Sequence, residues 1–312
     1  MGMAEIKAVI DADTHWLSWD DIHEVIGNAK TGRRSKYEIA AIESAIYLTV
    51  KELKPMTVRQ LFYQLVSRKV IDKTEAEYKQ TVVRLLSNMR RAGQIPFSWI
   101  ADGTRWQRKP DTHRNLSAAL NEMHRYYRRQ LWAEQPNYVE IWLEKDALSG
   151  VLYDVTSEYD VPLMVTRGYP SLSFLSNAAE QIAEIRKPTH LFYFGDFDPS
   201  GVDIPRKVER DLREFSGDAD IAFEVVAVKP WQIDAYGLQT RPTKTTDSRA
   251  KNFGSESVEV DAIHPDQLRT IARNCIEQLI DPEILEGTRL VESAERDSLK
   301  EFIAGWGGAY GQ

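Results

Sequence analysis

From residue 136 onward the chain alternates. The apolar runs "YVEIWLE" (138–144), "VPLMVTR" (161–167), "HLFYFGD" (190–196) and "IAFEVVAV" (221–228) are separated by helical stretches at 146–158, 172–186 and 202–215. Short runs rich in β-branched and aromatic residues, each followed by a helix-length stretch, make βαβ units, and successive units make a mostly parallel sheet. Such sheets place their chemistry at the carboxyl ends of the strands. Two of these runs end in a carboxylate: the first in Glu144, the third in Asp196, with Asp198 two residues on and Pro199, Ser200 and Gly201 behind it.

Residues 35–134 have a different texture. Residues 35–54 carry Ile39, Ile42, Ile46 and Val50 at helical spacing, and Pro55 ends that helix. Thr57 is an N-cap for a second helix, "VRQLFYQLVSR". Thr74 caps a third, with Glu77 placed to complete a capping box and Gly93 to stop it. "IPFSWIADGTRWQRK" then reads as two short strands around the turn "ADGT", and a linking helix follows in "RNLSAALNEMHRYYRRQLW". Three helices and a basic hairpin are the element order of a winged helix-turn-helix, whose third helix, carrying Lys79, Arg84, Arg90 and Arg91, would be offered to DNA. The expected fold is mixed α/β, with an N-terminal extension and winged-helix domain at 1–134 and a Rossmann-like, mostly parallel domain with a C-terminal extension at 135–312.

Charge is divided the same way. The net charge of −7 conceals 17 Lys+Arg against 7 Asp+Glu in residues 51–130, while the rest of the chain is strongly acidic. A basic block beside an acidic remainder suits a polyanion in one part and gathered carboxylates in the other. In the hairpin, Arg105, Arg108 and Lys109 fit phosphate contacts of weak sequence specificity, and Trp99 and Trp106 fit packing. No apolar run approaches the ~20 residues that span a bilayer, and the acidic N-terminus lacks the apolar core of a signal peptide. The single cysteine, Cys275, excludes an intramolecular disulfide and suits a reducing, cytoplasmic setting. One cysteine and six scattered histidines make no zinc pattern, so a metal here would be a hard, oxygen-liganded ion.

Glu144, Asp196 and Asp198 fit that description. Three acids at the ends of neighbouring strands ~4.8 Å apart can converge, and a divalent cation offsets their repulsion. In the alternative, Asp198 caps the next helix, Asp196 makes a salt bridge and Glu144 is exposed. A lone DxD is too short to decide between them; a strand-terminal Glu followed by strand-DxDxxG is more specific. This pattern resembles the Toprim domain of topoisomerases, primases and several nucleases. The resemblance implies that Glu144 acts as acid/base or metal ligand and that Asp196 and Asp198 bind Mg²⁺ or Mn²⁺.

On the second helix, Val58, Leu61, Phe62, Leu65 and Val66 form one apolar stripe, and Tyr63 lies roughly 130° from its centre, outside the expected core. Arg59 shares its face. A phenol with a pKa of ~10 is a poor nucleophile unless cationic groups stabilise its developing charge. A winged helix carrying "RQLFY" before a Toprim domain resembles the A subunit of DNA topoisomerase VI, the related meiotic double-strand-break transesterase and the stand-alone mini-A proteins, over roughly residues 35–270. That resemblance implies type IIB cleavage of double-stranded DNA, with Tyr63 attacking a phosphodiester to give a 5′-phosphotyrosine link and Arg59 assisting. It also implies a homodimer in which one protomer's tyrosine meets the other's acids, and a nucleoid-associated location. Position 62 is Phe, leaving Tyr63 the one hydroxyl there. No P-loop is present, so ATP-driven strand passage would need a separate ATPase subunit. Two further readings are a hydrolytic Toprim nuclease without a covalent intermediate and a non-catalytic DNA-binding protein.

Two segments stay open. Residues 236–253, with Arg241, Lys244, Arg249 and Lys251, read either as a phosphate-contacting loop, with Arg241 and Lys244 touching DNA, or as a solvated surface loop. In "SVEVDAIHPDQL" (257–268), a strand running into a helix, Glu259 and Asp261 read as exposed strand acids rather than additional metal-shell groups.

Overall fold

A computed structural model describes residues 2–11, 16–29, 34–101, 111–243 and 253–310. It is mixed α/β. Five helices come first: α1 Met3–Asp11, α2 Trp19–Gly27, α3 Lys36–Leu53, α4 Val58–Ser67, and a π-helical turn Glu77–Val83 that continues into α5 Arg84–Arg91. Ile42, Ile46, Val50, Leu61, Leu65, Leu85 and Met89 are buried together between them. Burying each such aliphatic side chain contributes about 1.5–3 kcal/mol. Thr57 caps α4 with a full capping box to Gln60, which fixes where that helix starts and how it enters the core.

The third expected helix differs in two ways. Its first half is π-helical, and although the Thr74 hydroxyl accepts from the Glu77 N–H at 3.1 Å, the Glu77 carboxylate binds Arg34 across the fold. Where two strands were expected, a 3-10 turn covers Phe97–Trp99 and a single parallel bridge joins Met56 to Ile100. Residues 102–110, with Arg105, Trp106, Arg108 and Lys109, lie outside the described residues. Trp99 packs, as expected, with its ring 6.0 Å from that of Tyr47 and under the Lys54 ammonium at 4.2 Å.

Helix α6 (Leu116–Tyr126) leads into a sheet built from β1 Tyr138–Leu143, β2 Leu163–Val165, β3 Thr189–Phe194 and β4 Ile221–Ala227, connected by α7 Ser149–Glu158, α8 Leu172–Ile185 and α9 Pro199–Ser216. All pairs are parallel, in the order β2-β1-β3-β4. The chain continues through α10 Pro230–Ala235, the antiparallel pair β5 Arg241–Pro242 and β6 Glu256–Ser257, then α11 Pro265–Glu277 and α12 Pro282–Tyr310. Alternation sorts the side chains of β1. Val139, Ile141 and Leu143 face α7 and α11, while Trp142 joins Leu191 and Tyr193 against α8 and α9. A sheet covered on both faces explains why its strands read as nearly continuous apolar runs.

The strand order reverses between β1 and β3, since β1 leads to β2 on one side and β3 leads to β4 on the other. Ligand crevices of open parallel sheets lie at that reversal, outside the carboxyl ends. Leu143 pairs with Phe194, so Glu144 and Asp196 emerge side by side there.

Candidate functional site

The strand ends are held by backbone contacts that exclude larger residues. The Glu144 N–H donates to the Phe194 carbonyl at 2.9 Å, and the Glu144 carboxylate accepts from the Asp196 N–H at 3.4 Å. A Cβ on Gly195 would meet the Glu144 carboxylate at 2.8 Å, and one on Gly201 would meet the Asp196 carbonyl at 2.0 Å. The DxDxxG glycine is thus needed for the close approach of the α9 N-terminus to the β3 end.

Burial, reinforced by the nearby Asp196 charge, pushes the Glu144 carboxyl up to about 7. Burial also raises Asp196, against the opposing pull of Lys145 and of the Val260 N–H, which donates to its carboxylate at 2.8 Å. Asp198 caps α9, accepting from the Ser200 and Gly201 N–H groups at 2.9 and 2.8 Å, and its second oxygen meets Arg241 at 3.3 Å. The three expected metal ligands therefore divide. Glu144 and Asp196 sit together, while both oxygens of Asp198 are engaged. Among the described residues no group of three or more His, Cys, Asp or Glu side chains is placed to hold a metal ion. Two hard carboxylates nevertheless fit Mg²⁺ or Mn²⁺, because Mg²⁺ commonly takes one or two protein carboxylates and completes its shell with water and substrate phosphate.

Between the acids lies Lys145, the residue after Glu144. Its ammonium pairs with Asp261, and with Asp196 and Glu259 at 3.5 Å each. Burial works against its charge, but Asp261, Asp196 and Glu259 outweigh it and hold the pKa above the ordinary lysine range. Glu259 is contacted also by Arg241 at 2.9 Å and Arg59 at 3.9 Å. Burial opposes its ionisation, yet Lys145, Arg241 and Arg59 keep its carboxyl below the usual range. Glu259, partly buried, and Asp261, only 1% exposed, are thus network members rather than exposed strand acids. The expected strand is short because the chain bridges Phe197 through Val258 and then turns 3-10 at Val260–Ala262. Arg241 faces inward onto Asp198 and Glu259 instead of outward as a free phosphate contact. Lys244, Arg249 and Lys251 lie outside the described residues.

Helix α4 packs onto this network. The Thr57 hydroxyl donates to Asp261 at 3.2 Å, Lys73 donates to the Thr240 carbonyl, and Arg269 reaches the Pro55 carbonyl. Arg59 stacks over the Tyr78 ring at 4.1 Å. Tyr63 is 5% exposed, contrary to its expected position outside the core. The wheel identifies one apolar stripe, but α4 is covered on a second side by the sheet half. Tyr63 lines a cavity of about 230 Å³ there with Gln64, Ser67, Tyr236, Leu238 and His264. Burial first, then the Glu259 charge, raises its phenol above the ordinary range, against Arg59 and Lys145.

The basic residues of α5 separate. Arg84 and Arg91 are exposed. Arg90 is half-buried, with its guanidinium 4.5 Å over the Phe97 ring and donating to the Phe97 carbonyl at 3.4 Å, so it supports the turn instead of being free for DNA. Among the described residues, no helix is long and apolar enough to cross a membrane. The sequence matches no family model and no curated protein.

Proposed function

We propose that the chain is a Mg²⁺- or Mn²⁺-dependent DNA-cleaving transesterase of the type IIB topoisomerase A-subunit kind, with a winged helix carrying the nucleophile Tyr63 and a Toprim domain carrying the acids. The observation that supports this best is the docking of α4 on Glu259 and Asp261 of the same chain, which Lys145 ties to the strand-end Asp196. Arg59, one turn before Tyr63 on α4, shares Glu259 with Lys145, and Lys145 contacts Asp196. In the reaction, Tyr63 Oη bonds to phosphorus and passes its proton to water, the P–O3′ bond breaks, and the 3′-oxygen leaves with the Glu144 proton, which solvent then restores. Arg59 and Lys145 would stabilise the forming phenolate charge and the phosphorane oxygens. A carboxyl with its pKa pushed up to about 7, as for Glu144, is suited to give the leaving oxygen its proton near neutral pH. Asp196, joined by Asp198 on release from Arg241, would hold the divalent cation, which neutralises phosphate charge when bound, with Glu144 available as a further ligand only in its deprotonated form.

One observation favours a second reading. Tyr63 is buried and its phenol is held un-ionised, which suits a hydrolytic nuclease in which this side chain only packs. Supercoiled plasmid with Mg²⁺ or Mn²⁺, stopped with detergent and run with and without protease, separates the two. The transesterase gives nicked or linear DNA that enters the gel only after protease, and none with Tyr63→Phe. Cleavage that needs no protease and survives Tyr63→Phe would leave the nuclease.

A further inference from the structure

We infer that Glu259 occupies the seat of a DNA phosphate, so that the carboxylate holds the site closed until nucleic acid displaces it. This rests on the DNA-cleaving reading and adds how substrate entry is regulated. Three cations from three parts of the chain converge on this one side chain. Arg241 of β5 contacts one carboxylate oxygen at 2.9 Å; Lys145, after β1, contacts the other at 3.5 Å, and Arg59 of α4 approaches that same oxygen at 3.9 Å. Two oxygens on one carbon, divided among cations in this way, have the pattern of the two non-bridging oxygens of a phosphodiester.

The position suits the substrate. The seat lies between the helix that carries Tyr63 and the ends of β1 and β3. Glu259 is the one carboxylate that all three cations share; Lys145 also pairs with Asp196 and Asp261, Arg241 with Asp198 and Arg59 with Glu75, so entry of a phosphate exchanges one anion for another at the same cations. Glu259 is also free to leave. Its side chain is held by ion pairs, while its backbone remains in the turn through the Ala262 N–H at 2.9 Å. Arg241 adds a coupling. It bridges Glu259 and Asp198, so a phosphate that takes Arg241 also frees an Asp198 oxygen beside Glu144 and Asp196.

The test is duplex binding by fluorescence anisotropy without divalent metal, over a salt series, for the full chain, Glu259→Gln and Glu259→Gln/Arg241→Gln. Glu259→Gln is expected to bind about 3- to 10-fold tighter, and its log–log salt slope to steepen by about 1–2 as vacated cations meet phosphate. The added Arg241→Gln should cancel the gain. A folded Glu259→Gln chain that binds no tighter, with an unchanged slope, overturns the inference. If Glu259→Gln melts below the assay temperature, Glu259→Asp carries the same prediction with a smaller gain, because its shorter carboxylate cannot span all three cations. A wild-type chain that binds DNA beside a variant that binds no tighter sinks this inference alone. No binding by either chain sinks the DNA-cleaving reading with it.

Discussion

Two carboxyls on and just after β1, Glu140 and Glu144, are pushed up to about 7 by burial. Between about 4.5 and 7 the folded chain keeps these protons and the unfolded chain releases them. Stability conferred below about 4.5 is therefore lost as pH rises through 7, by on the order of 1–3 kcal/mol. Glu140, 3% exposed and accepting from the Trp142 indole N–H at 2.8 Å, is the cleaner probe. Glu140→Gln should flatten thermal stability between pH 5 and about 8; an unchanged slope would contradict the assignment. Tyr63→Phe should abolish covalent cleavage while shifting unfolding free energy by less than about 1 kcal/mol, because the ring packing against Phe62 is kept. The placement of Glu144 and Asp196 at neighbouring strand ends, with Asp198 just beyond, was legible in the sequence because strand ends and DxDxxG are local patterns. Glu259 and Asp261 were not. What draws them inward is neutralisation by Arg59, Lys145 and Arg241, residues distant along the chain.

Helix α4 is the element that joins the halves, and its N-cap does two jobs. Thr57 satisfies the Gln60 N–H at 3.0 Å and donates to Asp261. Thr57→Ala should lower unfolding free energy by about 1–2 kcal/mol, read by denaturant midpoint. The α9 turn is stricter. Gly201→Ala would drive a Cβ into the Asp196 carbonyl, so loss of about 3 kcal/mol or more, or failure to accumulate folded, is expected; a wild-type melting curve would contradict the close approach. Capping chemistry made the α4 start readable, whereas α9 begins at Pro199 instead of the expected 202 because Asp198 is its cap. The π-helical turn at Glu77–Val83 was not readable. Its sequence has ordinary helical periodicity, and the Arg34 contact that draws Glu77 away is long-range.

At the scale of the whole molecule, the helical half presents exposed Arg84 and Arg91 while the sheet half supplies the acids. Duplex affinity should therefore fall steeply with salt, and Arg84→Ala and Arg91→Ala should each reduce the log–log slope by about 1, uniformly across sequences. Arg90→Ala should instead lower stability through Phe97. The parallel sheet was legible from alternation alone, but the packing of α4 onto it, which buries Tyr63, depends on surfaces that meet only in the folded chain. The covalent role of Tyr63 is tested most directly with a duplex labelled at its 3′ end, incubated with protein and Mg²⁺ or Mn²⁺ and denatured in detergent. Label is expected on the protein, mapping to the peptide that contains Tyr63 and absent from Tyr63→Phe. Labelled DNA cut with a free 5′-phosphate and no label on the protein would contradict it.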